Sequence, residues 1–150
     1  ILGVLRLAHP IGRRMRDRGE GHILVTGSIA GFMPGTFQVI YNASKAFLNN
    51  FALGWNEELK DSGVTVTCLM PGITDTAFFE RAGLTDTPLG QMKNKDDPAM
   101  VARAGYDAMI AGRAQMTPGL KNKAQAAMAE ILPAGLVAKA HRQMAKPEDE

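Results

Sequence analysis

Apolar residues recur along the chain with the spacing of alternating helices and strands. The first pattern places small or apolar side chains on one helical face, at Leu2, Leu5, Ala8 (or His9), Gly12 and Met15. It predicts a helix over 2–16 that is already running at the first residue. Residues 22–27 follow a turn and place Ile23, Leu24 and Val25 in a row. Three consecutive apolar residues predict a short strand that is buried on both faces, which is typical of a parallel sheet.

The longest helical pattern covers 39–61, and a strong strand pattern follows it. Apolar or small residues keep a helical rhythm from Ala43 to Leu59, and Gly63 is placed to end the helix in a left-handed conformation. The β-branched and apolar run 64–70 predicts a second strand. We expect the two strands to be parallel neighbours joined by a right-handed crossover.

The remainder of the chain predicts a long connection and then more helix. Residues 73–97 read as an irregular segment, and Phe78, Phe79 and Leu84 make it apolar enough to close over an apolar ligand. Asp97 and Pro98 are a helix-start signal. The elements predicted after it are a helix to about 111, a short strand at 114–116, a helix from 117 to about 132, a basic amphipathic helix to about 146, and a disordered acidic end at 148–150.

Composition narrows the class of protein. The 150 residues are 45% hydrophobic and 21% charged, as in an ordinary globular domain. A net charge of +2 is too small to indicate nucleic acid as a partner. The single cysteine excludes an internal disulfide framework, and no apolar run approaches the roughly 20 residues of a membrane span. These features favour a cytoplasmic protein, and because Ile1 begins in mid-pattern without an initiator Met, we expect a truncated chain.

The most informative chemistry lies between Ser28 and Lys45. Tyr41 and Lys45 are four residues apart at the start of the longest helix, so their side chains share one face. A phenol titrates near 10, and a neighbouring ammonium is expected to lower its pKa. Ser28 ends the first strand, and its hydroxyl could hold a substrate oxygen beside the phenol. The three residues together predict an acid–base catalyst acting on a carbonyl or hydroxyl group.

Ser28, Tyr41 and Lys45, together with Pro71, Gly72 and Thr76 after the second strand, resemble the short-chain dehydrogenase/reductase family. The resemblance extends from the first residue to about 117. It implies an α/β fold, the C-terminal part of a Rossmann-type doubly wound parallel sheet, as one partial domain over 1–150 with a helical extension at about 118–146. It also implies an NAD(P)-dependent oxidoreductase that interconverts an alcohol and a ketone, with an apolar substrate.

The resemblance assigns roles to individual residues. Tyr41 exchanges the substrate proton, Ser28 polarises the carbonyl, and Lys45 holds the nicotinamide ribose. The cofactor-binding set that the resemblance implies is Tyr41, Lys45, Pro71, Gly72, Ile73 and Thr76. Thr76 has a second interpretation, as the cap of a short helix after the strand. The cofactor is NAD or NADP, and the choice stays open.

Two parts of the family pattern are missing from the chain. No Gly-rich turn after a strand, the usual pyrophosphate cradle, occurs in the 150 residues. Aligning the family's Asn-x-x-Gly pattern on Gly3 puts its catalytic Asn one position before Ile1. The missing part corresponds to about three strand–helix units of roughly 30 residues each. We therefore expect this chain alone to be inactive.

Alternatives remain for the tail and for assembly. The basic C-terminal helix allows a non-catalytic binding or assembly module, or contact with a membrane, although packing on its own domain is favoured. Phe47, Phe51 and Trp55 form a stripe that suits either a homodimer (or homotetramer) interface or the domain's own sheet. The scattered histidines predict no metal site, and Cys68, inside the second strand, is expected to be a buried structural thiol.

Overall fold

The computed structural model describes residues 1–147, so the predicted disorder at 148–150 lies outside the described residues. Three strands, β1 (Gly21–Thr26), β2 (Val64–Leu69) and β3 (Gln115–Met116), form one sheet in the order β1-β2-β3. Both pairings are parallel, with Gly21 opposite Val64 at one end of the first pair. The predicted α/β class and parallel pairing are confirmed.

Helices alternate with these strands and continue beyond β3. Their bounds are α1 (Leu2–Arg18), α2 (Val39–Glu58), α3 (Phe78–Arg81), α4 (Pro98–Ile110), α5 (Leu120–Ile131) and α6 (Ala134–Ala145), with a short 3-10 helix at Ile29–Phe32.

Local signals explain where some of the helices begin and end. Gly19 ends α1 with a φ of 82°, in the left-handed region that glycine adopts without strain. The Asp97 side chain accepts a hydrogen bond from the Ala99 N–H at 3.1 Å, and Pro98 is the first helical residue of α4, as predicted. The predicted helix start at Thr117 is wrong, because Gly119 caps α5 and the helix begins at Leu120.

The core lies between β2 and α2. Val66 and Cys68 of β2 and Ala52 of α2 have no exposed surface. Phe47 and Trp55 of the aromatic stripe pack against this core, and the Trp55 ring lies against α1 at Gly12, where a Cβ atom would collide with it. Phe47 and Trp55 therefore contribute to the domain's own packing, and the homodimer or homotetramer stays a prediction.

The tail, defined here as α5 and α6, packs onto the same domain. The Thr36 hydroxyl donates to the Ala138 carbonyl at 3.1 Å, and the Leu89 N–H donates to the Met144 carbonyl at 3.1 Å. Val137 and His141 are buried on the inner face of α6. This is the packing that the sequence analysis favoured for the basic helix. Within residues 1–147, the helices are too short or too polar to cross a membrane.

Candidate active site

A cavity of about 230 Å³ lies where β1 and β2 end. The segment that follows β1 forms one side of it, and the segment that follows β2 forms another. Ligands of open parallel sheets bind at the carboxyl ends of the strands, so this is the expected location for a site. All the residues singled out from the sequence line it, namely Ser28, Tyr41, Lys45, Pro71, Gly72, Ile73 and Thr76.

Ser28 is held at the floor of the cavity by its own turn. It caps the 3-10 helix, with its Oγ accepting from the Ala30 N–H at 3.1 Å and lying 3.4 Å from the Pro71 carbonyl, to which it can donate. The residue is only 7% exposed. These contacts fix the hydroxyl at the junction of the two strand ends, beside any group bound in the cavity.

Asn49 clamps the backbone of Ser28, and the sequence analysis missed it. The Ser28 N–H donates to Asn49 Oδ1 at 3.2 Å, while Asn49 Nδ2 donates to the Ser28 carbonyl at 2.9 Å. Asn49 lies on α2 and is 3% exposed. A buried amide that satisfies both backbone groups of one residue strongly restrains its position. The available signal was a polar residue on the apolar face of the longest helix.

Tyr41 lies in the first turn of α2, half-buried against Phe78, with the two ring centroids 5.1 Å apart. Burial raises the pKa of the Tyr41 phenol, and a hydrogen bond with the Ser28 side chain acts in the opposite direction. The pKa is thus shifted in the direction opposite to that expected from Lys45. The phenol is neutral and able to donate a proton at neutral pH.

Lys45 lies one turn further along α2, and its ammonium makes a hydrogen bond to a backbone carbonyl. Nζ donates to the Thr26 carbonyl at 3.0 Å and lies 5.8 Å from the centroid of the Tyr41 ring. Burial lowers the pKa of Lys45, and the Cys68 thiol raises it. Burial is the largest cause of the Tyr41 pKa shift and outweighs any effect of the neighbouring ammonium.

The segment that follows β2 packs against the tail. Gly72 lies against the side chain of Asn122, with no room for a Cβ atom between them. Asn122 Nδ2 donates to Asp96 Oδ2 at 2.6 Å and to the Pro118 carbonyl at 2.7 Å. Asn122 is 5% exposed and was also missed from the sequence. The tail therefore supports the part of the cavity wall that the family resemblance assigns to the cofactor.

The position of Thr76 is compatible with both interpretations from the sequence, as a helix cap and as a residue of the site. Its hydroxyl accepts from the Phe78 N–H at 3.3 Å, at the beginning of α3, and the residue also lines the cavity. Helix α3 brings Phe78 and Phe79 to the cavity, as expected for an apolar lid, whereas Leu84 lies elsewhere.

The tail completes the far wall of the cavity. Gln125 of α5 and His141 and Met144 of α6 line it, facing the same space as Ser28 and Tyr41. Apolar side chains dominate the remaining lining. These are Ile29, Met33, Phe78, Phe79 and Leu89. The space suits a largely apolar molecule with its polar group near Ser28 and Tyr41.

The donors of the cavity fit one end of a nicotinamide cofactor. An ammonium at Lys45 can bind ribose hydroxyls, and the backbone at Ile73 and the hydroxyl of Thr76 can bind an amide or a phosphate oxygen. The Lys45 ammonium is already in hydrogen-bond geometry with an oxygen acceptor, the Thr26 carbonyl. The residues present therefore match the nicotinamide–ribose end of the cofactor.

A reactive thiol and a metal site have less support than the set of Ser28, Tyr41 and Lys45. Cys68 is fully buried, and burial raises the pKa of its thiol to about 11, which leaves it an inert thiol at neutral pH. Among residues 1–147, His, Cys, Asp and Glu side chains form no group of three or more that could hold a metal ion.

Comparisons with known proteins show which family model and which relatives the chain is similar to. Residues 1–87 match the family model described as short chain dehydrogenase. An uncharacterised oxidoreductase of Staphylococcus saprophyticus is 35% identical over 109 residues, which are 73% of this chain and 44% of that protein. The chain therefore spans less than half the length of this curated relative.

Two solved structures show the same fold. A short-chain dehydrogenase from Sphingobium yanoikuyae in complex with NADPH matches with a TM-score of 0.72 at 26% identity, over 89% of this chain and 55% of that one. A bulky-bulky ketone specific alcohol dehydrogenase from Comamonas testosteroni matches with a TM-score of 0.63 at 25% identity, over 87% of this chain and 51% of that one. The three-stranded parallel sheet is accordingly Rossmann-like.

Proposed function

The chain belongs to the short-chain dehydrogenase family, and we propose that the protein carrying it is an NAD(P)-dependent oxidoreductase that interconverts an alcohol and a ketone. The observation that carries the proposal is the convergence of Ser28, Tyr41 and Lys45 on one cavity at the strand ends. The Sphingobium relative solved with NADPH supports a nicotinamide cofactor. The ketone specificity of the Comamonas relative supports the substrate class.

In this proposal Tyr41 is the proton donor during ketone reduction. Its phenol is neutral because burial raises its pKa, so the proton is available for the substrate oxygen at neutral pH. The Ser28 hydroxyl lines the same cavity and orients the same oxygen. When bound, the nicotinamide cofactor supplies the hydride for reduction or accepts it for oxidation.

Lys45 and the segment after β2 position the cofactor. The Lys45 ammonium binds the ribose hydroxyls beside Tyr41, while Pro71, Gly72, Ile73 and Thr76 form the wall against the nicotinamide. Because the pyrophosphate cradle is not among the 150 residues, the isolated chain binds cofactor weakly and turns over little substrate. We place residues 1–150 in one domain, with the tail as an extension that covers the substrate.

The apolar walls define the substrate class further. Met33, Phe78, Phe79 and Leu89 surround the space beyond the catalytic hydroxyls. Such a cavity favours ketones with an apolar body, because burial of apolar surface contributes about 25 cal/mol per Å². Acetophenones and straight-chain methyl ketones are suitable test substrates.

Transfer of deuterium tests the proposed reaction. The complete protein is incubated with acetophenone and with NADPH or NADH deuterated at the transferable position of the nicotinamide. We expect one deuterium on the carbinol carbon of the alcohol, measured by mass spectrometry, and a solvent-derived proton on its oxygen. Unlabelled alcohol, or no alcohol with either cofactor and any ketone of the series, would refute direct hydride transfer.

A further inference from the structure

The tail places a histidine in the wall of the catalytic cavity. His141 lies on the inner face of α6, is 5% exposed, and lines the cavity together with Met144. Most residues of the surrounding wall beyond the strand ends are apolar. Away from the strand ends and from Tyr41 and Lys45, the polar side chains of the lining are therefore the imidazole of His141 and the amides of Gln38 and Gln125.

One nitrogen of this imidazole has no partner. His141 Nδ1 is buried and makes no hydrogen bond within residues 1–147. Buried polar groups are nearly always hydrogen-bonded, and an unsatisfied one is costly. His141 lines the cavity, so a group bound there lies next to the imidazole.

The position of α6 is fixed independently of any ligand. The Thr36 hydroxyl bonds to the Ala138 carbonyl and the Leu89 N–H to the Met144 carbonyl, one on each side of His141 along the helix. These two contacts hold the histidine opposite Ser28 and Tyr41 across the cavity. The backbone of α6 on both sides of His141 is thus a fixed element of the wall.

We propose that His141 binds a hydroxyl group of the substrate, so that the enzyme prefers ketones that carry a hydroxyl on an apolar body, away from the reacting carbonyl. This inference rests on the proposed oxidoreductase function and adds a second polar contact to it. The site recognises the substrate at two points, the carbonyl at Ser28 and Tyr41 and the hydroxyl at His141.

The charge state of His141 favours a neutral partner. Burial lowers the pKa of the imidazole, and the backbone of Thr36 opposes the shift. A neutral imidazole carries one donor and one acceptor nitrogen, which matches a hydroxyl group better than a carboxylate. Substrates with a distal carboxylate are consequently poorer ligands for this position.

Matched pairs of ketones test the proposal in the complete protein with NADPH or NADH. The pairs are acetophenones that carry either a hydroxyl or a methyl group at the same ring position, in the ortho, meta and para series. The readout is the ratio of kcat/KM for the hydroxylated ketone to that for the methylated one. Electronic effects of the substituent cancel when this ratio is compared between parent and variant.

We expect His141→Leu to lower this ratio about tenfold or more for at least one ring position, since a site built for a hydroxyl loses that discrimination with its partner. His141→Asn, which keeps a hydrogen-bonding group near the position of Nδ1, retains much of the preference. Met144→Leu alters the same wall without removing a polar group, and it changes both ketones in parallel. An equal ratio in the parent and in His141→Leu at every ring position would overturn the proposal.

A binding measurement decides the question even if no turnover is found. The imidazole signal that is missing from His141→Leu assigns the His141 resonance in the nitrogen-labelled complete protein. Saturation with a hydroxylated acetophenone is expected to shift the His141 nitrogen signal, while the methylated partner leaves it in place. Identical signals with both compounds would refute the contact. Absence of hydride transfer would refute the proposed reaction alone.

Discussion

The two walls of the cavity are built in different ways. One wall comes from the strand ends and α2, where Ser28 and Lys45 are fixed by hydrogen bonds to the backbone and the Tyr41 ring packs against Phe78. The other comes from the tail, which contributes Met144 and His141 on a single helix packed by a few contacts. In the proposed enzyme, the first wall carries proton transfer, and α6 adds to the selection of the substrate.

This division has a physical reason. Catalytic groups need positions defined within a fraction of an ångström, and loops that leave a parallel sheet are restrained by the strands. Asn49 adds to that restraint by bonding both backbone groups of Ser28. A substrate wall tolerates substitution as long as its volume and polarity suit the ligand. In the proposed enzyme, the α6 part of the tail can therefore vary without moving Ser28, Tyr41 or Lys45, whereas Asn122 of α5 supports the segment after β2.

Substitution of Lys45 is expected to have the largest effect after loss of the proton donor itself. Lys45→Ala removes the ammonium beside the Tyr41 ring and the proposed ribose contact. We expect kcat/KM for the ketone to fall at least about a hundredfold and the KM for the cofactor to rise, because one residue serves both groups. Steady-state kinetics of the complete protein with varied cofactor measure both quantities.

Lys45→Arg is the matched variant for this prediction. It retains the positive charge but replaces a compact ammonium with a planar guanidinium, so it should restore little of the activity. Exposed Lys60, which pairs with Glu57 on the surface, provides a control position for Lys→Ala. An unchanged KM for the cofactor in Lys45→Ala would show that Lys45 does not contribute to cofactor binding.

Asn122 offers a smaller test of the separation between the walls. Asn122→Ala removes the hydrogen bonds to Asp96 and to the Pro118 carbonyl, and it opens space beside Gly72. The segment after β2 loses its support, and we expect the cofactor KM to rise up to about tenfold, the equivalent of one or two modest hydrogen bonds. The KM for the ketone should change less.

The control for Asn122 lies on the same helix. Lys123 is exposed, so Lys123→Ala tests α5 without touching the cavity wall. If Asn122→Ala altered the ketone KM and spared the cofactor KM, the tail would act on the substrate side only. The assignment of Gly72 and its neighbours to the cofactor would then be wrong.

The sequence predicted that Ser28, Tyr41 and Lys45 lie close together because its signals are local. Ser28, Tyr41 and Lys45 fall within one short stretch, and a helix places residues four apart on one face whatever the rest of the chain does. The parallel strands and the start of α4 at Asp97 follow from equally local patterns. In these segments, neighbouring residues along the chain determine the structure.

The contributions of Asn49, Asn122 and His141 could not be read from local patterns. Each depends on which surfaces meet after folding, and no spacing rule marks a buried amide that bonds a distant backbone. The start of α5 was misjudged for a related reason, since Thr117 offers a cap but Gly119 is the residue that occupies the turn. The direction of the Tyr41 pKa shift also required the burial of its phenol.

The central claim is that Tyr41 transfers the proton, and turnover of Tyr41→Phe in the complete protein tests it most directly. The exchange keeps the ring against Phe78 but deletes the hydroxyl, and general acid–base groups contribute about 10²- to 10⁴-fold. We predict that kcat for ketone reduction falls at least about a hundredfold with cofactor affinity nearly unchanged, while Tyr106→Phe on α4 has no such effect. In the parent, where burial raises the phenol pKa, the rate should decline only at a pH above about 10, the value of a free phenol. Turnover by Tyr41→Phe at a rate near that of the parent would contradict the account.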